Sequence, residues 1–176
     1  MSHRRSVSHL FQRYFLFSMN TVVLLMGLAI STVQAAEAKV KAPDWALQTE
    51  TGETIRLADF HGQPLILHFW ATWCPYCKKV QPGLDALYQQ YQEQGLAAVA
   101  ISFREDDDAT PGAVLKQRGI SFKTAVQGEQ VAALYGVRGT PTTLLIDSQG
   151  YLVYVTNTSD PNDVALITAT KQLMKK

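Results

Sequence analysis

The stretch Phe69-Trp70-Ala71-Thr72-Trp73-Cys74-Pro75-Tyr76-Cys77 decides how this chain reads. It continues Leu65-Ile66-Leu67-His68, so an apolar run enters a Cys-x-x-Cys pair directly. A short β-rich run bounded upstream by the turn-forming residues Asp59 to Pro64 predicts a buried strand. Beyond the cysteines, Val80, Leu84, Leu87, Tyr88 and Tyr91 recur at helical spacing until Gly95 closes the helix. The pair therefore lies where a strand becomes a helix, with Cys74 at the helix N-terminus.

That position has a chemical consequence. Unpaired backbone N–H groups and the helix dipole favour a thiolate there, which makes Cys74 the expected nucleophile. Cys77 comes one turn later on the same face, placed to attack a mixed disulfide on Cys74 and release the substrate. Pro75 suits the first helical turn because its missing N–H is not needed there. Tyr76 adds a partly polar aromatic beside the pair.

The chain has two cysteines in 176 residues. A zinc site needs a second set of ligands, and neither another cysteine pair nor a suitable spacing of His61 and His68 supplies one. No metal and no organic cofactor is expected; the redox group is the Cys74–Cys77 disulfide itself.

Working outward, Leu96 to Phe103 is a second nearly continuous apolar run, as in a strand covered on both faces of a parallel sheet. An acidic loop, Arg104 to Gly112, leads into a short helix near Ala113 to Arg118 that Gly119 stops. A short strand is expected at Phe122 to Val126 and a short helix at Glu129 to Tyr135. Thr142 to Asp147 and Tyr151 to Thr156 read as a hairpin around Ser148-Gln149-Gly150. Asp160 is expected to cap a final helix, with Pro161 at its first position. Residues 37 to 50 read as an extended lead-in, with Pro43 and Trp45 docking on the body. The pattern is α/β with an antiparallel edge.

The N-terminus has the layout of an export signal: basic residues through Arg13, an apolar core centred on Val22 to Ile30, then small residues ending at Ala35. Two readings stand: a signal peptide over residues 1–35, cleaved after Ala35, or an uncleaved anchor through residues 14–36. The length of the strongly apolar core favours cleavage. Either way the domain, residues 36–176, is expected outside the cytoplasm. Without Arg4, Arg5 and Arg13 the remainder carries 13 bases against 15 acids. The bases are scattered among acids, which argues against nucleic acid as a partner.

Three segments together resemble the TlpA/ResA-like branch of the thioredoxin superfamily: Leu57-Ala58-Asp59-Phe60-His61-Gly62, the Phe69 to Cys77 string, and Gly139-Thr140-Pro141-Thr142-Thr143. The resemblance covers nearly all of residues 43–176. It implies a thioredoxin-like fold, a central mixed β-sheet with helices on both faces. It further implies a periplasmic or other extracytoplasmic oxidoreductase that exchanges electrons with the cysteines of exported proteins, in some relatives during cytochrome c maturation. A membrane electron-transfer partner is expected with it.

The resemblance also assigns roles. Pro141 matches the family's cis-proline, and Thr140 beside it is expected to contact a bound peptide with Trp73, Pro75 and Tyr76. His68 stands where many thioredoxins have a buried acid that exchanges protons with the resolving cysteine. A histidine there would serve as proton acceptor through a pKa near neutrality, whereas the bland reading is a neutral core histidine. Glu105 aligns with an acid that ResA-like proteins hold near the cysteines, where a raised carboxylate pKa would tune the thiols. Its bland reading is membership of a solvated acidic loop with Asp106, Asp107 and Asp108.

The function expected is disulfide reduction in exported proteins. A disulfide-forming oxidase and a non-catalytic, peptide-holding or copper-handling module are the alternatives.

Overall fold

The structure, a computed structural model, describes residues 39–175. The expected signal or anchor lies outside the described residues.

The run Leu65–Trp70 is a six-residue strand whose side chains are all buried, because both sheet faces are covered. It is the fourth strand, β4. Before it come β1 (Val40–Lys41), β2 (Ala46–Gln48) and β3 (Thr54–Arg56), with a 3-10 turn at Leu57–Phe60. After it come β5 (Ala97–Ser102), β6 (Lys123–Ala125), β7 (Thr142–Ile146) and β8 (Tyr151–Thr156). The helices are α1 (Pro75–Tyr91), α2 (Pro111–Gln117), α3 (Glu129–Leu134) and α4 (Val164–Leu173).

Six strands form one mixed sheet in the order β1-β8-β7-β4-β5-β6. β4 pairs parallel with β5 and antiparallel with β7, in register Phe69 to Ile101 and Phe69 to Thr142. The crossover that parallel pairing requires is α1. β2 and β3 form a separate antiparallel pair.

Alternation along β4 divides the core. Leu65, Leu67 and Phe69 pack with Trp45, Ile55, Leu57 and Val131, under the β2–β3 pair and α3. Ile66 and Trp70 pack with Cys74, Cys77, Val80 and Leu84 of the active segment and α1, and with Leu166 of α4. Helices thus cover both faces, as the resemblance implies.

α1 ends in a 3-10 turn, Gln92–Gln94, and then at Gly95, whose φ of 93° suits a residue without a Cβ. Gly83 has a different reason to be small: a Cβ there would collide with the Pro161 carbonyl, which the chain presses against α1.

Three local expectations are corrected. The lead-in contributes two strands, because Val40 and Lys41 find the edge of β8 and Ala46 to Gln48 find β3. α2 begins at Pro111 rather than near Ala113, since the fixed φ of proline suits the first helical position. The cap of α4 is Asp163, not Asp160. Asp163 accepts the Leu166 N–H at 2.8 Å, while Asp160 and Pro161 make a turn in which the Asp160 carboxylate accepts the Asn162 N–H at 3.0 Å. An Asx turn and a helix cap use the same side-chain oxygen, so one aspartate serves each.

Candidate active site

Cys74 and Cys77 are joined as a disulfide with their Cα atoms 5.3 Å apart. Cys74 is the N-cap of α1 and Pro75 its first residue. The Cys74 sulfur accepts the Cys77 backbone N–H at 3.1 Å. An N–H that would otherwise be unpaired at the helix start thus points at the Cys74 sulfur, an arrangement that favours a thiolate there. Both cysteines are buried, Cys74 with 2% of its surface exposed.

The aromatic residues around the pair divide sharply. Trp73 and Tyr76 are 55% and 61% exposed and flank the pair as aromatic surface. Trp70 is fully buried and donates its indole N–H to the Thr124 hydroxyl at 3.0 Å, so it is core. The Trp73 indole is itself anchored, donating to the Arg104 carbonyl at 2.8 Å. Arg104 adopts the left-handed conformation at φ 56°. Its N–H donates to Glu129 at 2.8 Å and its guanidinium to the Arg138 carbonyl at 3.3 Å.

The Thr140–Pro141 peptide is cis, as the resemblance implies. Because Phe69 pairs with Thr142, this peptide leaves the sheet at the same end as Trp70 and the cysteine loop. Asn157 holds it, donating to the Pro141 carbonyl at 2.9 Å and the Thr142 hydroxyl at 2.6 Å.

Glu105 is half-buried and not part of a loose acidic loop. Both its oxygens lie 3.0 Å from the Thr72 N–H, and one accepts the Thr72 hydroxyl at 2.6 Å. Its partner is thus the segment just before Cys74. Asp106, Asp107 and Asp108 are exposed, the bland outcome for that run.

His68 is fully buried on the β4 face that carries Ile66 and Trp70, the side α1 covers. Its Nδ1 is 2.9 Å from the Thr143 hydroxyl, and its Nε2 has no hydrogen-bond partner among the described residues. Burial lowers its pKa from 6.5 to about 3. Desolvation opposes the imidazolium and no carboxylate compensates, which favours the neutral-core reading over the proton acceptor. His68 is a neutral core histidine at ordinary pH.

Sequence reading missed Thr72, Gln81, Arg104, Arg118 and Asn157. Arg118 donates to the Thr72 carbonyl at 2.9 Å and to Gln81 at 2.8 Å. None of these carries a local signal, since each acts on a residue 15 to 46 positions away. Among the described residues no group of three or more His, Cys, Asp and Glu could hold a metal ion.

Comparison with known proteins agrees with this geometry. The AhpC/TSA family profile matches residues 38–155. The thiol-disulfide oxidoreductase ResA of Bacillus thuringiensis is 36% identical over 114 residues, covering 64% of this chain and 65% of that protein. The chain thus spans just under two thirds of that relative's length. ResA of Geobacillus thermodenitrificans is 32% identical over 158 residues, covering 83% of this chain and 90% of its own. A solved structure from Chlorobium tepidum, assigned as thiol:disulfide interchange protein DsbE, superposes with a TM-score of 0.69 at 33% identity, covering 77% of this chain and 96% of that one. The chain belongs to the AhpC/TSA family of the thioredoxin superfamily, and within it resembles the ResA and DsbE thiol-disulfide oxidoreductases.

Proposed function

We propose that this protein is an extracytoplasmic protein-disulfide reductase that acts on exported proteins through Cys74 and Cys77. The observation that carries the reading is the Cys74 sulfur capping α1 while accepting the Cys77 N–H. This arrangement favours the attacking thiolate and keeps the resolving sulfur within bonding reach.

In the reaction, the Cys74 thiolate attacks one sulfur of a client disulfide. The client S–S bond breaks, one client sulfur leaves as thiolate, and a mixed disulfide forms. Cys77 then loses its proton and attacks Cys74 Sγ, so the second client sulfur leaves and the Cys74–Cys77 disulfide closes. The two electrons pass to the client, whose leaving thiolates take up protons. A second dithiol, held by a membrane electron-transfer partner, re-reduces the pair. No metal or organic cofactor enters.

Trp73 and Tyr76 offer an apolar landing surface, and the Thr140–Pro141 segment emerges at the same end of the sheet, available to an extended client backbone. The N-terminal signal-like segment supports export, with cleavage after Ala35 preferred over retention as an anchor. Apocytochrome c, the client class that the family resemblance implies, is the client class of this proposal.

The test is to equilibrate residues 36–176 in graded thiol-disulfide buffers and to follow insulin reduction beside it. A midpoint below about −220 mV, with insulin reduction lost in Cys74→Ser, supports the reductase; a midpoint above about −150 mV turns the reading to an oxidase. Absence of a reversible disulfide overturns both.

A further inference from the structure

Thr72 is gripped on both sides of its peptide units. Its N–H and hydroxyl go to Glu105, and its carbonyl accepts from Arg118 at 2.9 Å. Arg118 is the C-cap of α2, far from the cysteines in sequence. Its guanidinium lies with Cζ 5.4 Å from the Trp70 ring centroid, in cation–π range, and also donates to Gln81 Oε1 at 2.8 Å. Gln81 is fully buried and one turn beyond Cys77 on α1. One cation therefore ties the loop two residues before Cys74 to the helix turn after Cys77.

We propose that Arg118 is a positioning residue for the thiol chemistry: it fixes the Thr72 to Cys77 segment and sustains positive potential behind the N-terminus of α1, stabilising the Cys74 thiolate. The inference rests on the dithiol reading above.

A scaffold role alone would be met by a neutral donor. A partly desolvated cation costs more to place, and it acts on a nearby thiolate with little screening. Burial indeed disfavours the Arg118 charge, and the Glu105 carboxylate opposes that effect. The other ionisable groups at this end are exposed Lys78, Lys79 and Tyr76 on α1, exposed Arg104, Asp106, Asp107 and Asp108 in the loop after β5, Glu129, which accepts the Arg104 N–H, exposed Arg138, and neutral His68 on β4. Glu105 acts against Arg118 on the thiolate, so removing the cation leaves an unbalanced negative charge beside the loop.

The experiment measures Cys74 alkylation by iodoacetamide against pH, on the reduced 36–176 chain, for wild type, Arg118→Gln and Arg118→Lys. In Arg118→Gln the inflection moves up by about half a pH unit or more, and Arg118→Lys recovers part of the shift. The disulfide midpoint in glutathione buffers moves in the reducing direction, because the dithiol form has lost stabilisation. An inflection and midpoint matching wild type in folded Arg118→Gln overturn the proposal. Should that variant fail to fold, Arg118→Met keeps the aliphatic stem against Trp70 and is held to the same criterion. The alkylation profile reads the thiol whether or not a client is reduced. Failure of wild type in insulin reduction therefore sinks the reductase reading alone.

Discussion

His68 and Thr143 face each other across the antiparallel β4–β7 pair, with Nδ1 2.9 Å from the hydroxyl. The hydroxyl partners one ring nitrogen in a site where nothing stabilises charge. The histidine that occupies the position of a thioredoxin acid is thereby held neutral, and it makes the fold sensitive to acid.

The folded pKa of about 3 lies below the unfolded value of 6.5, so the unfolded chain binds the proton first. Stability is complete above pH 6.5 and falls as pH drops toward 3. Between pH 6.5 and pH 4 the loss from this group is on the order of 3 kcal/mol. Urea unfolding at several pH values should show a smaller loss over that interval in His68→Gln than in wild type.

The disposition of the two cysteines predicts which single substitution traps a client. Cys77→Ser leaves the Cys74 thiolate able to attack but removes the sulfur that resolves the mixed disulfide. Incubated with a disulfide-bonded client, Cys77→Ser should accumulate a covalent complex that dithiothreitol releases, and Cys74→Ser should not. Equal trapping by both would assign the roles wrongly.

Glu105→Ala leaves the Thr72 N–H and hydroxyl without their acceptor in a half-buried site. The expected destabilisation is about 1–3 kcal/mol, as for loss of a charge-assisted hydrogen bond. Glu105→Gln should recover part of it, because the amide oxygen still accepts. Denaturant midpoints at pH 7 measure both; an exposed acidic loop would lose nothing.

Asp163→Ala removes the cap of α4 and should cost about 1 kcal/mol. The carboxylate pKa is lowered, first by the hydrogen bond from the Leu166 N–H. Its contribution is therefore present above the unfolded aspartate pKa and fades as pH falls through the lower folded one. The stability difference between wild type and Asp163→Ala should shrink below about pH 4. Asp160→Ala, which removes only the turn contact, should cost less.

Much of this molecule is local, and local features are legible in a string of residues. Leu65 to Trp70 is too apolar and too short to be anything but a strand buried on both faces, and the Val80, Leu84, Leu87 spacing is helical. Joined through Cys74 and Cys77, these two facts put a disulfide at a helix start. The cap of α4 shows the limit of such reading: Asp160 with Pro161 has the composition of a helix start, yet Pro161 is engaged against Gly83, and the helix waits for Asp163.

The sequence by itself determined the order of the elements from β3 onward, the burial of β4 and the helix-start position of the cysteine pair, because each depends on neighbours within a turn or a strand. Only the tertiary structure decided what surrounds that pair. Arg118 reaches Thr72 across 46 positions, Glu105 reaches it across 33, and Asn157 holds the Pro141 carbonyl across 16. Hydrogen bonds between side chains and loop backbone leave no periodic trace, since they follow from strand order rather than residue spacing. The fate of His68 is of the same kind: a histidine's charge depends on which groups surround it, and the sheet put Thr143 there instead of a carboxylate.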